Sequence, residues 1–553
     1  MPVSLFGDEL DVGYQAYSIV KTGSDYYGNF LPLHFHSLAE YRTPLYLYSA
    51  VPTVWLFGVS PLGVRLPAAL FGIATIPVMY LLSFELAKRL TGKHHKEIAL
   101  LAAFFLAISP WHIQYSRAAF EVTEVLFFLV LGLWAFLKSF AHKKFIVLFA
   151  ISFSTMTWIY STAKLYVPIM LLVLAVMYVK DLVKFPKKIV LATLVTFAVL
   201  CAPMYVDSFF GEGGARFGYI SVFSDPTTEH EIGVLRLNDA RVRGESGEGL
   251  SPNLMDRVIH NKFVYWGESI LNHYYQSFST DFLFVSGDPN LRHSIKNMGQ
   301  LYKVDIIGLF IGMVFLFGLG KDSKSKILVA ALFLIGAIPA SLTRDGGNHA
   351  TRLFLTVPAY IFVIAYGLTM GLDRVSKHMK VTVVVVMTTG YLLSFFMYQH
   401  LFWVHNPWES ERWWHAGFQG AISEMKKREA DFDTIVISTA NEPPWVFFAA
   451  WYEYPPLEWQ KNFPTEHKKV LSGFGEVSYI DKFYFGTPSG RGLYEWGQIL
   501  TDKTLYVATQ KEVNVNLILE PERTPKDLVL LKSVEYPSGE PAFYLFTGIS
   551  HEN

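Results

Sequence analysis

Cysteine is all but missing from this chain. The single one, Cys201, lies inside an apolar run, so neither a disulfide framework nor a cysteine-based zinc site can form within one copy. Charge is scarce as well, at 17% of 553 residues, against about 25% in an ordinary soluble chain. It has no excess sign: 47 acidic residues cancel 47 basic ones, which excludes the whole-chain positive field of a nucleic-acid binder. No internal repeat, low-complexity tract or glycine-rich phosphate loop is visible. The apolar stretches also lack the mid-segment chains of Asp, Glu or His that mark proton and ion pathways.

Apolar surface is what the chain has in quantity. Hydrophobic residues make up 52% and aromatics 16%, with a mean hydropathy of +0.29, far more than one globular core absorbs. The fold class predicted is a polytopic α-helical membrane protein. A span needs about 20 mostly apolar residues. Ten stretches qualify, near 66–87, 98–114, 122–137, 145–160, 164–180, 188–206, 304–320, 326–342, 353–371 and 380–402. Five connecting loops (88–97, 138–144, 180–188, 321–326, 372–380) hold 17 Lys and Arg, whereas the three short loops on the other side (109–121, 160–164, 342–352) hold 4. By the positive-inside rule the first set is cytoplasmic. Residues 1–60, 211–303 and 406–553 then face outward, and the cell (plasma) membrane is the expected location.

The chain divides accordingly into an extracytoplasmic first loop with interfacial helices (1–60), a multi-span domain (61–405) that includes the outer loop 211–303, and a small extracytoplasmic α/β domain (406–553). The first loop is rich in Tyr, Phe, Leu and Pro, with amphipathic pieces such as Asp11 to Val20 that suit the headgroup level. It carries no export signal of its own, so one more apolar span is expected upstream of Met1. In the tail the patterning predicts helices at 412–428 and 444–452 and strands at 433–438, 504–508, 528–534 and 542–547, with a turn at Tyr536 to Pro541. The stretch Trp445 to Trp459 reads as a carbohydrate-stacking surface or as the domain's core. Trp413-Trp414-His415-Ala416-Gly417 reads as an interfacial aromatic anchor opening the 412–428 helix.

Polar residues gather where spans meet the outer surface: Asp8-Glu9, Glu40-Tyr41-Arg42, Arg65, His112, Arg117 to Glu121, and Arg344 to Arg352. A lipid phosphate reacting at that interface needs this arrangement. Arginine forks hold the phosphate, and a carboxylate deprotonates an incoming hydroxyl. Each has a plainer reading. Asp8 suits the N-cap of a helix beginning at Glu9. Arg65, Arg117 and Arg352 suit headgroup anchors, although anchoring basic residues favour the opposite face. His112 and His349 are candidates to hold a divalent metal with Glu121 or Glu40, or are hydrogen-bonded structural residues.

Together these residues resemble a known family. Leu5-Phe6-Gly7-Asp8-Glu9 followed by Tyr14, then Tyr41-Arg42-Thr43-Pro44-Leu45-Tyr46, is similar to the first outer loop of GT-C glycosyltransferases, in particular protein O-mannosyltransferases and lipid A aminoarabinose transferases. Arg65 to Gly72, Ser116-Arg117, and His349-Ala350-Thr351-Arg352 with Pro358 resemble later elements of that family, in the same order. The resemblance implies an integral membrane enzyme that moves a monosaccharide from a polyprenyl-phosphate donor to an acceptor hydroxyl on protein, lipid or glycan, usually with inversion. It maps the catalytic base onto Asp8, with Glu9 beside it. Arg65, Arg117, Arg352 and His349 become donor-phosphate ligands, and Glu40, Arg42, His112 and Glu121 become contacts for sugar or acceptor. Two departures bear on sugar and acceptor. Only one proline, Pro44, stands where the family has a pair, and Glu121 and Glu124 stand where mannosyltransferases have Asp.

A transporter or flippase for a lipid-linked sugar is the alternative from another class. Transporters commonly show repeats and midplane polar sites, and this chain shows neither.

Overall fold

The computed structural model describes residues 4–37, 40–245, 252–490 and 492–549; Met1 to Val3, where an upstream span would join, lie outside them. The chain opens with helix α1 (Gly7–Thr22), a hairpin of β1 (Phe35–Ser37) and β2 (Glu40–Arg42), and helix α2 (Leu45–Phe57). α1 stops at Gly23, whose φ of +79° is left-handed backbone that glycine adopts without steric cost. The hairpin pairs Phe35 with Arg42 and Ser37 with Glu40. Two residues apart on one strand, Glu40 and Arg42 share a face.

All ten apolar stretches are helical, and the chain is a multi-pass membrane protein. Seven helices among the described residues are long and apolar enough to cross a membrane: α3 (Pro61–Leu90), α6 (Val122–Ser139), α8 (Ala163–Leu182), α9 (Lys187–Phe210), Ser323–Ser341, Ala350–Arg374 and Lys377–Glu409. α4 (His95–Ile108) and α5 (Pro110–Ser116) make an eighth only as a pair bent by 57°. The bend sits where Pro110 removes a backbone donor and Ser109 Oγ accepts the His112 N–H instead. α7 (Phe145–Ile159) and Asp305–Leu319 are 15 residues each. At 1.5 Å per residue they reach roughly 22 Å, short of the ~30 Å hydrocarbon core. The Ala350–Arg374 segment is the most enclosed, with 94% of its apolar window buried.

After the last span, residues 418–549 form a seven-stranded sheet in the order β4-β5-β6-β3-β7-β9-β8. Its strands are β3 (Thr434–Ile437), β4 (Lys468–Leu471), β5 (Gly475–Ile480), β6 (Phe483–Phe485), β7 (Thr504–Thr509), β8 (Leu528–Glu535) and β9 (Pro541–Gly548). β6, β3 and β7 run parallel, and the outer pairs are antiparallel. The expected strands at 433–438, 504–508, 528–534 and 542–547 correspond to β3, β7, β8 and β9. β4 carries no comparable apolar signal, since it is exposed along most of its length, and the buried β6 is only three residues long. The helix expected at 412–428 starts only at Phe418. Gly417, with φ at +97°, breaks it. Trp414 is no interfacial anchor: it is fully buried, edge-on to Phe6 at 5.4 Å. Trp445 and Trp459 belong to the domain's core rather than to an open surface.

Candidate active site

The first turn of α1 sets the site. Phe6 is the N-cap, and Glu9, three residues on, accepts the Phe6 N–H at 3.4 Å. Asp8 is therefore the second helical residue, not the cap, and its carboxylate serves other partners. Its Oδ1 lies 2.8 Å from Arg42 Nη2. One turn on, Asp11 is fully buried, accepting from Tyr26 Oη at 2.7 Å and Ser37 Oγ at 2.6 Å, with Arg42 Nε at 3.9 Å. Arg42 is thus clamped from two sides by one helix face. Burial pushes the Asp11 carboxyl up to about 6 against the pull of Arg42 and the two hydroxyls. Burial also pushes Asp8 up, but Arg42, Arg292, Arg216 and His415 together draw it below the ordinary carboxylate value. Asp8 is a carboxylate held in its ionised form by surrounding cations.

Around Asp8 opens a cavity of about 500 Å³. Four arginines line it: Arg42, Arg216 of α10 (Ala215–Ile220), Arg292 and Arg352. Arg216 Nε is 3.2 Å from Glu40. Arg352 donates to Thr343 Oγ1 at 2.7 Å and to Asp345 at 2.5 Å. Arg292 lies over the Phe6 ring at 4.8 Å. The carboxylates on Arg42 and Arg352 are the exposed partners, with Asp8 at 47% and Asp345 at 48% side-chain exposure, while the arginines themselves are buried. Both carboxylates therefore stand where the oxygens of an incoming anion can replace them. Glu121 and His349 also line this cavity.

Four of the sequence candidates are elsewhere. Glu9 is fully buried and turned onto Arg65, with Nε at 2.6 Å and Nη2 at 2.5 Å, and it accepts the Ala119 N–H at 2.9 Å. Arg65 and Arg117 line a different, apolar cavity of about 410 Å³ beside Tyr398 and Phe402. Arg117 donates to Gln114 at 2.6 and 3.0 Å and lies 4.3 Å over the Phe402 ring. His112 is buried on α5 beside Ser116. Conversely, Arg216, Arg292, Asp288 and His293 were not singled out by sequence reasoning. The dense polar run Asp288-Pro289-Asn290-Leu291-Arg292-His293 is the signal that could have found three of them.

His349 meets not His112 but His293 and Asp288. The Asp288 carboxylate is 3.2 Å from His293 Nδ1 and 4.0 Å from His349 Nδ1, and the three ligand atoms lie within 4.8 Å of one another. His349 Nδ1 is buried without a hydrogen-bond partner. Two imidazoles and a carboxylate on the wall of an open cavity fit a divalent ion of the zinc type.

Residues 2–208 match the family model described as dolichyl-phosphate-mannose-protein mannosyltransferase. An uncharacterized protein of Aquifex aeolicus is 34% identical over 117 residues, a match that covers 19% of this chain and 22% of that one. Among solved structures, ArnT from Cupriavidus metallidurans bound to undecaprenyl phosphate is 11% identical, with a TM-score of 0.48 over 98% of this chain and 94% of that one. The Archaeoglobus fulgidus oligosaccharyltransferase in complex with Zn and sulfate is 13% identical, with a TM-score of 0.47 over 99% of this chain and 70% of that one. The matched segment holds Asp8, Asp11, Glu40, Arg42 and Glu121, the first-loop side of the cavity. Over residues 2–208, somewhat more than a third of its length, this chain is similar to the dolichyl-phosphate-mannose-protein mannosyltransferase family.

Proposed function

We propose that this protein is a glycosyltransferase that takes a monosaccharide from a polyprenyl-phosphate donor and places it on an acceptor hydroxyl, with inversion, at the outer face of the plasma membrane. One observation carries the reading: a half-open Asp8–Arg42 ion pair in a cavity lined by three further arginines. The family description over residues 2–208 supports the donor class.

The chemistry follows from the pairing. A donor phosphate entering the cavity competes with Asp8 for Arg42 and with Asp345 for Arg352. As phosphate takes over the guanidinium, Asp8 loses the cation that depresses its basicity, so donor binding itself prepares the base. The acceptor O–H then gives its proton to Asp8 while its oxygen bonds to the anomeric carbon. The bond from that carbon to the phosphate oxygen breaks, and the electron pair leaves with the phosphate. Arg42, Arg292 and Arg352 stabilise the departing charge, a preorganised electrostatic role. Asp288, His293 and His349 would hold a divalent ion, which would supply Lewis-acid chemistry there.

The test is release of polyprenyl phosphate from polyprenyl-phosphate mannose by membranes holding the full chain. Asp8→Asn is expected to lower turnover about 10²-fold or more and to leave donor binding in place. Arg352→Ala is expected to weaken donor use by on the order of 1.5–3 kcal/mol, the worth of a charge-assisted hydrogen bond. Parental turnover in Asp8→Asn would remove the base from this reading. Transport of intact donor without its cleavage would replace the reading with a flippase.

A further inference from the structure

A second cavity, of about 650 Å³, lies just past the carboxyl ends of the parallel strands β3 and β7. In open α/β sheets that is the crevice where ligands bind, because successive strand-to-helix loops diverge there. Asn441 follows β3, and Gln510 and Asn514 follow β7; all three line the cavity. Gln510 Oε1 is buried and has no hydrogen-bond partner, an uncompensated acceptor of the kind a ligand satisfies. Trp413 is 41% exposed and, like Arg292, lines both this cavity and the one that holds Asp8. Between the two, His415 Nδ1 accepts the Gly7 N–H at 3.3 Å, one residue from Asp8.

We infer that this cavity receives the acceptor and that the acceptor is a glycan, an inference that rests on the glycosyl transfer proposed above. Side-chain amides offer both donors and acceptors to hydroxyl groups. The Trp413, Tyr536 and Phe543 rings provide apolar faces for a sugar ring's C–H surface. Charges along the wall are mostly satisfied internally, Arg412 by Glu540 at 2.5 Å and His415 by Glu442 at 3.6 Å. A polypeptide acceptor fits less well. β3, β7 and β9 are interior strands of the sheet, so the cavity offers no free strand edge for an extended peptide. A sugar seated between Trp413 and Gln510 presents its terminal hydroxyl toward Asp8.

The experiment uses the purified full chain in detergent and saturation-transfer NMR with three neutral probes: maltotriose, mannotriose and chitotriose. At least one is expected to bind. Gln510→Ala and Asn514→Gly together are expected to weaken it about tenfold, as loss of two neutral hydrogen bonds implies. Asn514 has φ at +52°, so glycine keeps its backbone. Binding of polyprenyl phosphate, measured on the same samples, should be equal in parent and variant and reports that the variant is folded. Three non-binding sugars, equal sugar binding in the variant, or capture of a Ser/Thr-rich peptide in their place would overturn the inference. Failure of the parent to bind polyprenyl phosphate would instead sink the donor assignment and leave the sugar result readable.

Discussion

Two adjacent carboxylates have opposite fates because consecutive helical residues point about 100° apart. Asp8 faces the cavity, half exposed, and Glu9 faces Arg65 in a dry contact. Glu9→Gln leaves the Arg65 guanidinium buried without a counter-charge, a change that costs about 3–5 kcal/mol. The expected outcome is a clearly lower thermal midpoint for the detergent-solubilised protein, with donor binding retained in the folded fraction. An unchanged midpoint with lost donor binding would return Glu9 and Arg65 to the donor site. Asp8 predicts the reverse pattern and a pH signature. As the base it must be ionised, so kcat/KM, which reports the free enzyme, falls as pH drops through its depressed pKa. Arg42 is the leading cation in that depression. In Arg42→Gln the carboxyl of the free enzyme titrates higher, and the acid limb of the kcat/KM profile should move to higher pH, alongside a raised donor KM. A limb that stays put would show that another group controls it.

Helices crossing in the bilayer need close backbone approach more than apolar bulk. Gly308 and Gly312 of the Asp305–Leu319 helix meet Gly367 of Val357–Arg374 so closely that a Cβ on Gly367 would lie 2.1 Å from the Gly308 carbonyl oxygen. That crossing fixes the helix that follows His349 and Arg352, and so reaches the site. Gly367→Val should force the pair apart, lowering stability by roughly 1–3 kcal/mol as overpacking does. Gly318→Ala, on the Asp305–Leu319 helix with nothing within 4 Å, should be neutral or slightly stabilising. Equal thermal midpoints for the two variants would refute a packed crossing. Hydropathy, being local, made the ten apolar stretches between 66 and 402 legible, though not the apolar helix Leu45–Phe57, and alternation did the same for β3, β7, β8 and β9. The glycine crossing was not legible, because its partners lie some 55 residues apart along the chain and nothing in either segment names the other. The same holds for the site. Asp8 and Arg352 were readable from residue type and position, whereas Arg216 and Arg292 sit in a loop without periodicity and become site residues only through long-range contacts. Arg65 and Arg117 looked equivalent to Arg352 in sequence, yet a single intervening layer, Phe6 against Trp414, puts them in another cavity.

At the scale of the molecule, the first loop, the 211–303 loop and the C-terminal domain are tied to one another. Tyr14 donates to the Tyr454 carbonyl at 2.8 Å, and Gln460 reaches Ser18, Thr22 and the Asp25 carbonyl within 3.1 Å. Leu10, Tyr14, Trp445 and Trp459 share one core, and Arg216 and Arg292 line the cavity of Asp8. Segments in such contact must lie on one side of the membrane; the contacts do not say which side. The proposal that it is the outer side comes from the loop charges, since 17 Lys and Arg against 4 point by the positive-inside rule to the cytoplasm for the opposite loops. The prediction is a labelling pattern. Cys201 is the only native cysteine, half-buried beside Ser154, and Cys201→Ser gives a blank background. In intact cells a membrane-impermeant maleimide should then modify Ser472→Cys, an exposed position between β4 and β5, and spare Ser323→Cys, exposed at the start of the Ser323–Gly336 helix. Both should react after permeabilisation. The reverse pattern would put Asp8 and its arginines on the cytoplasmic face, with sugar transfer there. Labelling of both in intact cells would mean that these contacts and the charge rule cannot both describe this protein in its membrane.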